Sequence, residues 1–432
     1  MRYGVRDFVG LLRTPVGRAR IRHALRHRTW PLSSTLATLH RRLVVPRTRV
    51  VAVIGSLGKT TATHAVAAAL AIDRRRSGGN ARAAIAFGML KVRPGDRHAV
   101  FEVGIAGPGQ MTPYPRLLRP DVVLVTSIGS EHNASFGTIE ATRTEKAKMV
   151  RALPASGLAV LNGDDLNVMW MASQTRARIV TFGFGTSHDV RGSEFVQAGP
   201  EGVRFTVEAR GERRRVAIRL LGQPMAYAIL GAIAVALSEG CSLDEVLPRL
   251  AAMAPLPGRL EPVVLACGAI VIRDDLKSTL ESIDSNVDLL AELPARRRLV
   301  VLGDVSEPPG SPGPVYRRIG ARASATAALT VCVGEGHKRY ASGARRFGAP
   351  EGTIVDAGRS PLRAAEIVRE TLGPGDVVLI KGRNNQRLER VALALQGHRV
   401  VCDIPVCRAV PQLRCSSCPM LSRGWAGLRV VM

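Results

Sequence analysis

A chain of 432 residues is long enough for two or three domains, each with its own core. At 46% hydrophobic and 22% charged it has the balance of a folded protein, which excludes a mainly disordered one. Its net charge of +26 suits phosphates, nucleic acid or an anionic membrane surface, although an arginine-biased composition gives the same excess.

Residues 1–50 carry twelve arginines against one acid, Asp7. Within them Leu32, Leu36, Leu39 and Leu43 recur at helical spacing and form one apolar stripe. The stretch RARIRHALRHRTW can lie on anionic lipid, bind a polyanion or engage a partner protein. With aromatics at 4% there is no stacking platform for single strands, so nucleic acid is not the expected partner. No apolar run approaches the roughly 20 residues of a membrane span, and the first residues lack the pattern of a signal peptide. The expectation is a cytoplasmic protein, able to sit at the inner membrane surface.

From 49 to 256, continuous apolar stretches (RVVAVIG, HAVFEVG, DVVLVTSIG, GLAVLNGDD, ARIVTFGF) alternate with helical ones. That pattern predicts a parallel sheet covered on both faces. The stretch from Glu194 to Gly222 alternates with period two and reads as an antiparallel appendage. The first strand runs into Gly55-Ser56-Leu57-Gly58, and a helix opens at Lys59-Thr60-Thr61. This is the layout of a phosphate cradle: backbone N–H groups at a helix N-terminus, a lysine for the β/γ-phosphates and a hydroxyl for Mg²⁺. Gly55 and Gly58 permit the turn, although the spacing of a full Walker motif is absent. Of 61 basic side chains only seven are lysines, and four of them (Lys59, Lys146, Lys277, Lys381) fall inside motifs. Where arginine is so favoured, a retained lysine signals chemistry that needs a compact amine of adjustable pKa.

PLPGRLEP (255–262) is a hinge, and 257–400 repeats the α/β alternation in AIVIRDD, RRLVVLGD, ALTVCVG and GDVVLIKG. The final stretch, 401–432, is irregular and holds Cys402, Cys407, Cys415 and Cys418. Close pairs of this kind can bind Zn²⁺ tetrahedrally or an iron–sulfur centre; unmetallated thiols in a tail are the plain alternative. Cys241, Cys267 and Cys332 read as small buried residues.

Taken together, FEVGIAGPGQM (101–111), TSIGSEHNASFGTIEATRTEKAKMV (126–150), LNGDD (161–165), PGRLE (257–261), VLGDVSE (301–307) and IKGR (380–383) resemble the Mur ligase family, in the family's order, and within it the MurF branch. The resemblance implies an α/β chain: a central P-loop ATPase domain with a parallel sheet, followed by a C-terminal Rossmann-like ligase domain. It implies an ATP- and Mg²⁺-dependent ligase that joins a small-molecule acid to an amine through an acyl phosphate. Gly55, Ser56, Gly58, Lys59, Thr60, Thr61, Asn162 and Arg259 would meet ATP. Thr60, Glu102, His132 and Lys146 (as a carbamate) would hold Mg²⁺, with Lys59, Lys146 and His132 catalytic. Asp274, Asp275, Lys277 and Lys381 would face the substrate.

Three departures stand against a plain transfer. Only about 50 residues precede the loop, too few for the family's UDP-sugar domain. Lys277 and Ser278 replace the tyrosine and asparagine of the family's paired-acid motif. Pro224 and Ala228 stand where a helix otherwise presents histidine and asparagine to the nucleotide. A divergent substrate is therefore expected, and the other reading is a non-catalytic scaffold or a polyanion-associated P-loop ATPase.

Overall fold

The structure is a computed structural model that describes residues 12, 14–73, 79–131, 133–308, 310–407 and 413–425. It forms two compact units, Arg26–Ala254, and Met1–Leu25 together with Pro255–Met432. The stretch 1–48 expected as one segment is thus divided between them.

The first unit is built on an eight-stranded sheet. Its strands are β1 (Arg49–Ile54), β2 (His98–Glu102), β3 (Val122–Val125), β4 (Leu158–Asn162), β5 (Arg178–Gly183), β6 (Val190–Gln197), β7 (Val203–Ala209) and β8 (Glu212–Ile218), in the order β2-β1-β3-β4-β5-β6-β7-β8. β2 to β6 run parallel, and β7 and β8 return antiparallel. The period-two segment is therefore no separate appendage but extends the main sheet through Phe182↔Val190. Burial on both faces explains the unbroken apolar runs. Val51 and Val53 of β1 belong to one core cluster, with the helices Lys59–Ala69 and Gln223–Ser238; Val50, Ala52 and Ile54 belong to another on the opposite face. The helices end where their sequence says: Thr138 caps Ile139–Arg151, and Ser242 with Glu245 makes a capping box before Leu243–Ala251.

Helix Trp30–Leu39 and the π-turn His40–Val44 lie on the first unit with their small and polar side inward. Ser33, Ala37 and Arg41, one turn apart, are buried, and Arg41 donates to the carbonyls of Leu118, Val45, Pro46 and Arg119 and to Asp121. The leucine stripe points outward, with Leu32 65% and Leu43 75% exposed.

The second unit carries a six-stranded sheet of β9 (Glu261–Val264), β10 (Ile270–Asp274), β11 (Arg298–Leu302), β12 (Leu329–Cys332), β13 (Ile354–Asp356) and β14 (Val377–Lys381), ordered β13-β12-β11-β14-β10-β9. All pairs are parallel except β9 with β10. β9 and β13 are too short, at four and three residues, to announce themselves by pattern. The tail, expected to be irregular, contains a 3₁₀ turn at Cys415–Ser417 and a helical turn at Met420–Arg423.

Candidate active site

In an open parallel sheet, ligands collect at the carboxyl ends of the strands where the connections diverge. β1 lies between β2 and β3, so the loop after β1 meets the ends of both. Gly55 has φ +141°, and a Cβ there would meet Thr126 Oγ1 at 2.1 Å; Gly58 has φ +77° immediately before the helix. Both positions demand glycine. The loop is stapled to the segment after β3. Ser56 N donates to Ser127 O at 2.7 Å, Leu57 N to Ser127 Oγ at 3.0 Å, Gly129 N to Ser56 Oγ at 2.9 Å, and Thr126 Oγ1 to Leu57 O at 2.6 Å.

Two lysines close on this loop from inside. Lys59, 5% exposed, donates to Ser56 O at 2.8 Å and pairs with Glu131 at 2.9 Å. Lys146, 3% exposed, donates to Gly55 O at 2.6 Å and Ser56 Oγ at 2.9 Å. Those two bonds use two N–H groups of an ammonium; a carbamate nitrogen has one. Buried cations are tolerated only where anions or hydrogen bonds compensate them, so this cradle is electrostatically set for phosphate. Sequence reasoning missed Glu131, which stands one residue before the histidine that drew attention; only its neighbourhood to the motif could have marked it.

Glu102, 8% exposed at the end of β2, accepts from Asn80 Nδ2 at 2.8 Å. Beside Lys146, burial works against the charge of Glu145, but Lys148 and the N–H groups of Met111 and Gly109 outweigh it and hold the carboxyl below its usual value. Thr60, half-buried, directly follows Lys59. Thr61 does not face the loop: its hydroxyl donates to Met225 Sδ at 3.3 Å, against the helix Gln223–Ser238. Asn162 also serves the framework, donating to Thr126 O at 2.8 Å and accepting from Asp164 N at 3.1 Å. His132 lies outside the described residues. Another cluster unseen in the sequence follows β4. Asp164 accepts from the N–H groups of Phe184 and Gly185, from His188 Nε2 at 2.8 Å and from Tyr227 Oη at 2.8 Å. Tyr227 belongs to the helix whose expected nucleotide contacts Pro224 and Ala228 replace.

In the second unit, register alone sets Asp274 of β10 beside Lys381 of β14. Lys381, 1% exposed, pairs with Asp274, which also accepts from Asn286 Nδ2 at 2.6 Å. Burial pulls the Lys381 amine below its usual value despite that carboxylate. Asp275 turns the other way, into a buried group where Arg273 reaches Asp275 at 3.1 Å, Glu261 at 3.0 Å and Glu389 at 3.3 Å. Burial pushes the Asp275 carboxyl up to about 6. Arg259 and Lys277 are half-buried, and Arg259 adds positive charge near Lys381. Ser278 Oγ is fully buried without a hydrogen-bond partner.

The zinc expectation is corrected. Among the described residues, no group of three or more His, Cys, Asp or Glu side chains is placed to hold a metal ion. The four tail cysteines nevertheless line one cavity.

The chain matches the Mur ligase middle domain over residues 53–236 and the Mur ligase glutamate ligase domain over residues 258–384. It is 26% identical over 357 residues to the UDP-N-acetylmuramoyl-tripeptide–D-alanyl-D-alanine ligase of Escherichia coli, covering 81% of this chain and 77% of that one. The enzyme of the same name from Mycobacterium bovis is 28% identical over 395 residues, with 84% and 76% covered. Crystal structures of MurF from Acinetobacter baumannii (TM-score 0.75, 20% identity, 85% and 81% covered) and of MurF from Thermotoga maritima in complex with ADP (TM-score 0.75, 19% identity, 85% and 84% covered) share its fold. With both of its sheets accounted for in the family's own order, the chain belongs to the Mur ligase family, on its MurF-like side.

Proposed function

We propose that the chain is an ATP-dependent carboxylate–amine ligase that forms an amide through an acyl phosphate. The observation that carries this is the loop after β1, where two glycines of positive φ, the helix Lys59–Ala69 and two buried lysines converge. Such a site holds polyphosphate by backbone N–H groups and neutralises the charge that moves during phosphoryl transfer. Lys59 would leave Glu131 for the γ-phosphate. Thr60 and Glu102, an alcohol and a buried carboxylate, fit the oxygen preference of Mg²⁺, which would supply positive charge for the phosphates. Lys146 braces the loop through Gly55 and Ser56 in its ammonium form; as a carbamate it would keep one of those bonds and gain two oxygens for the metal. Asp274 and Lys381 in the second unit would serve the acceptor substrate as a paired acid and amine, with Arg259 adding positive charge nearby.

The relatives named above act on a UDP-muramoyl tripeptide and D-alanyl-D-alanine. That pair heads the panel, followed by small carboxylates with free amino acids. The test is phosphate release from ATP and Mg²⁺. Release that needs both an acid and an amine supports the ligase, whereas release needing neither, or ATP binding without release across the panel, sinks it. The outward leucine stripe within a strongly basic stretch supports a second element of the same reading: a cytoplasmic enzyme docked on an anionic membrane surface.

A further inference from the structure

A phosphate cradle whose lysine is already paired with a carboxylate carries its own rival for the nucleotide. Lys59 Nζ donates to Ser56 O at 2.8 Å and to Glu131 Oε2 at 2.9 Å. Both side chains lie inside, 5% and 8% exposed. A hydrogen bond between ionised groups is about twice as strong as one to a neutral carbonyl, and exclusion of water strengthens it further. Of the two contacts, Glu131 is therefore the one that holds the amine.

Glu131 is also fixed in place. It stands two residues after Gly129, on the segment that follows β3. That segment is bonded to the loop on both sides of Ser56. Gly129 N donates to Ser56 Oγ at 2.9 Å, Ser56 N to Ser127 O at 2.7 Å and Leu57 N to Ser127 Oγ at 3.0 Å. A carboxylate anchored so close to this staple does not follow the lysine. When Lys59 turns to a phosphate, the ion pair breaks and a second anion arrives beside a buried carboxylate. Like charges repel strongly where water is scarce, so the nucleotide meets both a lost pair and a new repulsion.

We propose that Glu131 is an internal competitor for the terminal phosphates of ATP and thereby sets the nucleotide affinity of the site. The inference rests on the ligase reading for the identity of the nucleotide, and on the Lys59–Glu131 geometry for the competition. Glu131 is on this account a positioning residue that acts through Lys59. It keeps the buried amine charged and in register until phosphate takes its place, and weakens nucleotide binding in doing so.

The test is equilibrium binding to the full chain, with Mg²⁺ present and no acid or amine added. The ligands are ATP and adenosine monophosphate, which lacks the β- and γ-phosphates that the lysine of such a cradle holds. Glu131→Gln keeps the shape and loses the charge, so it should bind ATP roughly tenfold more tightly than the parent. Adenosine monophosphate should bind both proteins alike, whereas a merely structural role would weaken both ligands together. Glu212→Gln, an exposed change of the same net charge on β8, should leave both affinities unchanged. An ATP affinity that is unchanged or lowered in Glu131→Gln, or a gain shared by adenosine monophosphate, would overturn the proposal. Should Glu131→Gln fail to fold, Glu131→Asp decides. It withdraws the charge by one methylene, so ATP should gain by a smaller factor, and no gain counts against the competition. A parent that binds no ATP sinks the ligase reading as well. A parent that releases phosphate only with acid and amine, beside a Glu131→Gln that gains nothing, sinks this inference alone.

Discussion

On the proposed function most of the chemistry turns on Lys59 and Lys146, and they make different demands on a substitution. Lys59→Ala should abolish phosphate release. Because it also removes the Lys59 ion pair from buried Glu131, it should cost up to about 3 kcal/mol of stability. The double change Lys59→Ala/Glu131→Ala separates the two effects: thermal unfolding should recover while phosphate release should not, and recovered release would refute the assignment of Lys59. For Lys146→Ala the informative measurement is rescue. Short-chain carboxylic acids restoring part of the turnover point to a carbamate, and small amines restoring it point to the ammonium that donates to Gly55 and Ser56. Failure of both, with full activity in the variant, would remove Lys146 from the site. Lys59, Glu102 and Lys146 were legible because lysine is rare here and strand ends are readable. Glu131 and Asp164 were not, since their roles come from partners 72 and 63 residues away in the chain that no local pattern announces.

Elements rather than single residues hold the first unit's edge together, and Glu239 shows how. It follows the helix Gln223–Ser238 and accepts from Arg49 of β1 at 2.5 and 2.7 Å and from His98 of β2 at 2.9 Å. Burial opposes its charge, but His98 and Arg49 prevail and bring the carboxyl down to about 2 from 4.5. A carboxyl depressed in the folded state adds stability that is fully present above its unfolded value and is lost as pH falls through the folded one. At about 1.4 kcal/mol per pH unit, discounted for the partly exposed Arg49, the contribution is on the order of 2 kcal/mol. Glu239→Gln should therefore unfold more easily in denaturant at neutral pH, and its difference from the parent should close between pH 4.5 and about 2. A difference independent of pH would mean that packing, not charge, is what Glu239 supplies. At this scale the sequence was most transparent: β1 to β5, β10, β11, β12 and β14 announced themselves as apolar runs, as strands in a sheet covered by helices do. β9 and β13 escaped because three or four residues carry no period, and the membership of β6 to β8 in the main sheet depends on one parallel register that composition does not encode.

For the whole molecule, the +26 charge and the outward leucines make one prediction together. Helices on a domain surface ordinarily bury their apolar stripe, yet here Ser33, Ala37 and Arg41 face inward and Leu32, Leu36, Leu39 and Leu43 face out. Nothing in the burial of Arg41, with its four carbonyl partners, requires leucine on the other side. A lipid interface would account for both features, since it takes leucine side chains into its acyl boundary while its anionic headgroups attract the surrounding arginines. The chain should therefore sediment with vesicles containing phosphatidylserine, and not with vesicles of phosphatidylcholine alone. No helix among the described residues is long and apolar enough to cross a membrane, so binding should reverse on raising the salt. Each fully buried leucine contributes about 1.5–3 kcal/mol, so Leu36→Asp and Leu43→Asp should each weaken binding by roughly tenfold or more. Because both side chains are exposed, neither change should lower the unfolding temperature. Undiminished sedimentation of the double variant would show that charge alone holds the protein to the lipid, whereas a concentration-dependent dimer abolished by the same changes would mean that the stripe's occupant is a second copy of the chain.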